Sequence, residues 1–259
     1  YLIIGGGIAG TTAAEVIRGR DAAASIAILS AEPHTLYSRV LLPAYLKARI
    51  PREWVFLRST EDYAAKKIDF YPDSKVRAAP AARREIQTAD ERIFRFGKLL
   101  IASGGRVRPW QYEDTASPPA YRLQTIAAAD RLLADMPHIK SPLVIGSSFI
   151  ALEFIEIFLH HGITPRVLAA TDGFFSAFAD KEGSKILERN LQSRGVSCIF
   201  DAAITACRRD GDDYTLDIAG GDTLRADAFA IGIGVERQRD FLEDSGIILG
   251  KRGIKTDEY

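Results

Sequence analysis

The chain has 259 residues, 47% apolar and 26% charged, with a formal net charge of zero. That balance suits an ordinary globular protein with a substantial core. It offers no basic field for nucleic acid or anionic lipid, and no apolar run reaches the ~18 residues of a membrane span, so neither nucleic acid nor membrane is an expected partner.

Tyr1 to Gly10 is an apolar strand running into a glycine turn, and Thr11 to Arg18 continues as a helix. Ser25 to Ser30 is the next strand, closing a βαβ unit of about 30 residues. Residues 36–50 are mixed and contain Pro43, 51–67 are helical in part, and Phe70 to Ile86 reads as short strands around a Pro-Ala turn. Lys98 to Ala102 reads as a fully buried strand, ended by Ser103-Gly104-Gly105. Residues 106–120, with Arg106, Arg108, Pro109 and Ser117-Pro118-Pro119, have the composition of a linker. A short helix follows over Ile126 to Met136. Residues 141–169 then repeat the strand–turn–helix–strand plan of 1–30. Asp180 to Arg194 is amphipathic, with Ile186, Leu187, Asn190 and Leu191 near one face. Glycine turns between strand-like runs over 196–228 suggest a meander, and Phe229 to Val235 is another buried strand. An α/β protein built twice is expected, the second unit inserted into the first, because the chain returns at 229–259.

Cys198 and Cys207 are too far apart for a Cys-x-x-Cys pair, and no histidine cluster suggests a metal. Two reduced thiols and a cytoplasmic setting are expected. His160-His161 precedes Gly162 at a helix end, where cations complement the dipole. Tyr1 opens inside a strand without a Met, and Asp257-Glu258-Tyr259 brings no stop signal, so a piece of a longer chain is expected.

At the first turn, Gly5 suits a tight corner, Gly7 the close approach of a pyrophosphate, and Gly10 close helix–strand packing. The helix opening at Ile8 and Ala9 offers unpaired N–H groups and a partial positive charge. Glu32 ends the next strand, about 20 residues on, where a carboxylate accepts hydrogen bonds from an adenosine ribose.

These residues, with Tyr37-Ser38-Arg39, Leu99 to Gly104, Val144 to Glu153, Ala230 to Val235 and Gly253 to Tyr259, resemble the pyridine nucleotide-disulfide oxidoreductase superfamily. The resemblance implies two Rossmann-like, three-layer FAD- and NAD(P)-binding domains: 1–108 with 226–259 for FAD, and 109–225, inserted, for NAD(P). It assigns Gly5, Gly7, Ile8, Ala9 and Gly10 to the FAD pyrophosphate, Glu32 and Pro33 to the ribose side, and Val76 to the adenine. Ala102, Ser103, Gly104 and Gly232 fall at the crossovers between domains. Residues 32–43 are similar to rubredoxin reductases and to the flavin region of NADH-dependent nitrite reductase large subunits, which places Tyr37, Arg39 and Leu41 beside the flavin. Val40 stands where related enzymes carry a redox cysteine, so a flavin enzyme without a redox-active disulfide is implied. A Gly-Asp pair that completes the flavin site would lie beyond Tyr259.

The second turn reads Gly146-Ser147-Ser148-Phe149-Ile150-Ala151-Leu152-Glu153. Against the family's pattern, Ser148 replaces the glycine facing the pyrophosphate and Ala151 replaces the packing glycine, while Gly146, Phe149, Ile150 and Glu153 remain. The counterpart of Glu153 lies between nicotinamide and flavin, which makes Glu153 and Arg39 the catalytic candidates. Arg166-Val167-Leu168 leads into Ala169-Ala170-Thr171, with Asp172 beyond, a signature of neither NADH nor NADPH. The implied function is transfer of electrons from NAD(P)H through FAD to a rubredoxin-like protein or a small acceptor. The alternative is a flavin-binding redox subunit or sensor whose nicotinamide site has decayed.

Overall fold

The computed structural model describes residues 1–113, 120–176, 180–211, 213–251 and 253–257. In chain order the elements are β1 (Leu2–Ile4), α1 (Ile8–Arg20), β2 (Ala27–Leu29), α2 (Leu42–Leu46), α3 (Thr60–Ala65), β3 (Asp69–Tyr71), β4 (Val76–Ala78), β5 (Glu85–Thr88), β6 (Ile93–Arg95), β7 (Leu99–Ile101) and β8 (Gly105–Val107). Then come β9 (Ala120–Tyr121), α4 (Ile126–Asp135), β10 (Pro142–Ile145), α5 (Phe149–His160), β11 (Arg166–Leu168), α6 (Lys181–Ser193), β12 (Ser197–Ile199), β13 (Ile204–Asp210), β14 (Asp213–Ile218), β15 (Thr223–Ala226), β16 (Ala228–Ile231) and β17 (Val235–Arg237), followed by a short hairpin at Leu249–Gly250 and Gly253–Ile254.

The chain divides into two compact units: Tyr1–Ser38, Arg52–Arg106 and Glu236–Tyr259 form the first, and Arg39–Pro51 with Val107–Val235 the second. In the first unit a parallel sheet runs in the order β3-β2-β1-β7. Alternation along β1 splits its side chains between two faces. Ile3 packs with Ala14 of α1, Ile26, Ile28 and Tyr63. Leu2 and Ile4 pack on the opposite face with Val76, Ile86 and Leu242. Val76 and Ile86 belong to the antiparallel sheet β4-β5-β6, so helix, parallel sheet and antiparallel sheet make three layers.

The second unit repeats this plan. Its parallel sheet runs β12-β11-β10-β16-β9, one strand wider. On one face Leu143, Ile145, Phe229 and Ile231 pack against Tyr214 and Leu216 of the meander β13-β14-β15. α5 buries Phe154, Ile155, Ile157 and Phe158 completely.

The structure departs from the sequence reading at several points. β7 is not fully buried: Leu100 is 38% exposed, and among the described residues β7 pairs on one side only, with β1. The strand read at 229–235 spans Ala228–Ile231 and pairs in parallel with β10, so it joins the second sheet, and the chain up to Val235 groups with the second unit. Residues 39–51 also group with the second unit. Within the segment read as a linker, Trp110 is buried against Phe229, at 4.9 Å between ring centroids; Ser117-Pro118-Pro119 lie outside the described residues, as do Glu258 and Tyr259. On α6 the buried stripe is Ser184 and Leu191, one heptad apart, while Ile186 and Asn190 face solvent. Among the described residues, no helix is long and apolar enough to cross a membrane, and no His, Cys, Asp and Glu side chains gather for a metal.

Candidate functional site

Each unit holds one candidate site, and the two are corners with the same backbone plan. In the first, β1 ends at Gly5, whose N–H donates to the Leu29 carbonyl at 2.8 Å. Gly5 turns the chain at φ +113°, a region that disfavours any side chain, and a Cβ there would stand 2.2 Å from the Ala102 carbonyl oxygen. A Cβ at Gly10 would stand 2.0 Å from the Gly5 oxygen. These two glycines are required by the fold itself. Gly7 is different. It caps α1 in extended backbone, φ −76°, without any side-chain cap, and a Cβ there meets nothing within 4 Å. Ile8, 64% exposed, and Ala9 follow at the open end of the helix, where the first N–H groups have no partner within the helix.

A brace holds this corner. Thr11 Oγ1 and the Tyr63 hydroxyl lie 2.8 Å apart, and Tyr63 stacks on Phe70 at 4.7 Å. Burial pushes the Tyr63 hydroxyl above its ordinary pKa, so it stays protonated. Glu32 lies just past β2. Its N–H donates to Ser30 Oγ at 3.2 Å, and the Tyr37 hydroxyl donates to its Oε2 at 2.6 Å. Tyr37 is itself buried beside His34 and Phe56, so the carboxylate is held in one orientation. Pro33 is exposed next to it, and Val76 lies in the core beneath β1.

At the end of β7, Ala102 N–H donates to the Ile4 carbonyl at 2.8 Å, and Ser103 Oγ donates to the Gln238 carbonyl at 3.0 Å. Ser103 and Gly104 line a cavity of about 290 Å³ together with Arg237, Gln238 and Arg239. The two arginines were not singled out from sequence; their signal was a pair of cations flanking Gln238 just after the glycine-containing segment 232–234.

In the second unit Gly146 makes the same corner, at φ +117°, with its N–H on the Leu168 carbonyl at 2.8 Å. Gly232 occupies the place of Ala102: its N–H donates to the Ile145 carbonyl at 2.7 Å. A Cβ at Gly232 would stand 3.0 Å from the Cβ of Ala151. Ala151 and Gly232 thus meet closely in the second corner, where a second methyl group would be crowded. Ser148 caps α5 at φ −87°, the conformation of Gly7. Its hydroxyl donates to the Gly232 carbonyl at 2.8 Å, so the side chain is satisfied by the protein itself. The same hydroxyl accepts from the Ala151 N–H at 3.4 Å, and Phe149, 61% exposed, and Ile150 form the first turn of the helix.

Residues 39–51 bring further groups to the second unit. Arg39 donates to the Gln124 carbonyl, Tyr45 to Asp130 at 2.8 Å, and His161 Nε2 meets the Leu46 carbonyl at 2.7 Å. The last contact gives His161 a specific partner beyond the helix end. Leu41 is half-buried beside Arg39. At the end of this segment Lys47, with a side chain only 10% exposed, approaches Glu153 Oε2 at 3.6 Å. That oxygen is buried and accepts no hydrogen bond among the described residues, so the ammonium is the charge that faces it. Lys47 was missed in the sequence, where a lysine after the apolar Leu46 reads as a helix-end cation. No thiol contributes: Cys198 and Cys207 are unpaired, and burial pushes Cys198 up to about 11 and raises Cys207 as well.

A family profile described as pyridine nucleotide-disulphide oxidoreductase matches residues 1–259. The chain is 26% identical over 260 residues to the NADH-dependent phenylglyoxylate dehydrogenase subunit epsilon of Aromatoleum evansii, covering 61% of that protein. It is 28% identical over 258 residues to the ferredoxin--NAD(+) reductase component of the p-cumate 2,3-dioxygenase system of Pseudomonas putida, covering 63%. The crystal structure of a ferredoxin reductase from Rhodopseudomonas palustris superposes with a TM-score of 0.88 at 24% identity, over 96% of this chain and 62% of that one. The chain thus spans about three fifths of the length of these curated relatives.

Proposed function

The chain belongs to the pyridine nucleotide-disulphide oxidoreductase family, and on that premise we propose that it is an NAD(P)H-dependent FAD oxidoreductase without a redox-active disulfide. The first unit holds FAD and the second takes NAD(P)H. Electrons leave to a redox protein or a small acceptor, and relatives named as ferredoxin--NAD(+) reductase components support the former.

Gly7 carries the reading. The fold has room for a side chain at that position, yet the position is bare, in front of the unpaired N–H groups of a 13-residue helix. A pyrophosphate fits that space, because helix N-termini favour anions. Glu32, held by Tyr37, fits a ribose diol. The residues present therefore suit FAD. When bound, the flavin supplies a hydride acceptor that can pass electrons onward.

The rest is the work of the chain's own side chains and backbone. Ile8 and Ala9 N–H groups bind the pyrophosphate, with Gly5 and Gly10 shaping the corner. Glu32 fixes the ribose, Pro33 and Val76 border the adenosine, and Ala102, Ser103 and Gly104 border the flavin side. In the second unit Gly146, Ser148, Phe149, Ile150 and Gly232 shape the nicotinamide-nucleotide site. Ser148 puts a side chain at the place of Gly7, donating to the Gly232 carbonyl and accepting from the Ala151 N–H, so the second corner is expected to hold a pyrophosphate less tightly than the first. Arg39 and Leu41 orient the reacting rings. Glu153, faced by Lys47, is a fixed negative group beside the nicotinamide. Two unpaired thiols support a reducing, cytoplasmic setting.

The test is titration of the purified protein with FAD, followed by mixing with NADH or NADPH while flavin absorbance is recorded. Saturable uptake and bleaching by either nucleotide is expected. No uptake of FAD overturns the reading, and uptake without bleaching by either nucleotide replaces it with the redox-subunit alternative.

A further inference from the structure

α2 is five residues long, too short to hold its shape alone. Leu42 and Leu46 bury one side of it completely. Apolar burial is non-directional, so it does not by itself set where the neighbouring polar groups point. Three polar features do that. The Tyr45 hydroxyl donates to Asp130 Oδ1 of α4 at 2.8 Å. The Leu46 carbonyl meets His161 Nε2, at the end of α5, at 2.7 Å. Past Lys47 the chain turns on Ala48 in the left-handed region, φ +50°. Ala48 N–H donates to the Tyr45 carbonyl and Arg49 N–H to the Ala44 carbonyl, each at 2.9 Å. This way of closing a helix usually has glycine at the left-handed position. A residue with a Cβ persists there only where its surroundings determine the turn.

All three features bear on one side chain. Lys47 stands between the tethered carbonyl of Leu46 and the strained turn at Ala48. Its ammonium, on a side chain 10% exposed, lies 3.6 Å from Glu153 Oε2. A desolvated pair of this kind is weak support for stability, since apolar residues of similar volume often serve as well. Stability is therefore a poor reason for such close control of where Lys47 points.

We propose that Tyr45 and His161 are positioning residues: through Asp130 and the Leu46 carbonyl they hold the Lys47 ammonium against Glu153. This rests on Glu153 being the charged group beside the nicotinamide. It goes further by naming residues that act on that group only through Lys47.

Two measurements on the 259-residue chain test it. Hydrogen exchange on the flavin-free protein follows the bonded amides of Lys47, Ala48 and Arg49. Tyr45→Phe and His161→Phe are each expected to speed exchange there by roughly fivefold, the loss of one hydrogen bond, while the amides of β10 stay as in the native protein. Asp130→Asn keeps an acceptor for Tyr45 and is expected to exchange at the native rate. Stopped-flow mixing of FAD-loaded protein with NADH or NADPH then separates affinity from rate. Tyr45→Phe is expected to lower the limiting rate of flavin reduction by roughly fivefold or more, with the nucleotide Kd moving less than about twofold. In a Lys47→Met background the same substitution is expected to lower the rate no further. A purely structural role would lower the melting temperature and leave the limiting rate alone. Native exchange in either Tyr45→Phe or His161→Phe overturns the proposal, as does an unchanged limiting rate or an equal further loss in Lys47→Met. A native protein that takes up no flavin is a different result: it removes the oxidoreductase reading, and the exchange rates still decide the positioning.

Discussion

Gly7→Ser separates what the fold needs from what a ligand needs. At Gly7 the backbone is extended, φ −76°, and a new Cβ meets no atom within 4 Å. Ser148 already occupies the corresponding position of the second corner at φ −87° and ψ 176°, with its hydroxyl bonded inside the protein. A serine cap is slightly better than a glycine cap, so stability should change by no more than about 0.5 kcal/mol, in the favourable direction. Binding should respond differently. The side chain stands where the pyrophosphate approaches, and hydrogen bonds to a charged group contribute about 1.5–3 kcal/mol each. Loss of one or two gives about 3 kcal/mol, or roughly a hundredfold in Kd for FAD. Gly5→Ala is the contrasting case: at φ +113°, with its Cβ 2.2 Å from the Ala102 oxygen, it should cost more than about 2 kcal/mol of stability. Thermal melting and a fluorescence titration with FAD read the two quantities separately. A Gly7→Ser protein that melts as low as Gly5→Ala, or that binds FAD within about threefold of the native protein, refutes the reasoning.

Tyr37→Phe removes the hydroxyl that holds Glu32 at 2.6 Å and leaves the buried ring in place. The same titration should show FAD affinity down by roughly threefold to tenfold, with the melting temperature within a few degrees. Glu15 is bonded to Arg58 and Lys66, which together hold its carboxyl down to about 2. A carboxyl depressed in the folded state stabilises above its unfolded value near 4.5, and that contribution disappears as pH falls from there toward 2. Discounted for the solvent around both partners, it is about 1 kcal/mol, so Glu15→Gln should lower urea midpoints at neutral pH and flatten the decline in acid. Lys47→Met leaves Glu153 Oε2 buried without its facing charge. A loss of about 1–3 kcal/mol is expected, recovered in large part by adding Glu153→Gln, and a double-mutant cycle with no coupling would remove the pair from the account.

The two corners were legible because each depends on local chemistry. A strand of Leu and Ile must turn sharply onto a helix, and only glycine reaches φ near +115° at Gly5 and Gly146. The strand–turn–helix repeat could be read for the same reason. Burial was harder, because it depends on neighbours brought from afar. Leu100 looks like a core residue and is 38% exposed, on a strand at the edge of its sheet. Residues 226–235 look like a return to the first unit, but the register of β16 on β10 carries Ala228–Ile231 into the second sheet, and the segment up to Val235 groups with the second unit. Residues 39–51 looked like part of the first unit and group with the second. Lys47 was invisible because no spacing links it to Glu153. Only the fold brings them within 3.6 Å. Ala151 read as a lost glycine, yet it packs closely on Gly232, a long-range contact that a single local motif cannot display.

The one-sided pairing of β7 also has a colloidal consequence. In the second sheet the corresponding strand β16 is covered by β9, with Phe229 opposite Ala120. β7 has no such cover among the described residues, so it presents a short row of main-chain donors and acceptors beside an exposed Leu100. Such a row templates the addition of any extended segment, including one from a second copy. At high protein concentration that edge is one place where copies of this chain can pair, and a charge in place of Leu100 is expected to make it repel.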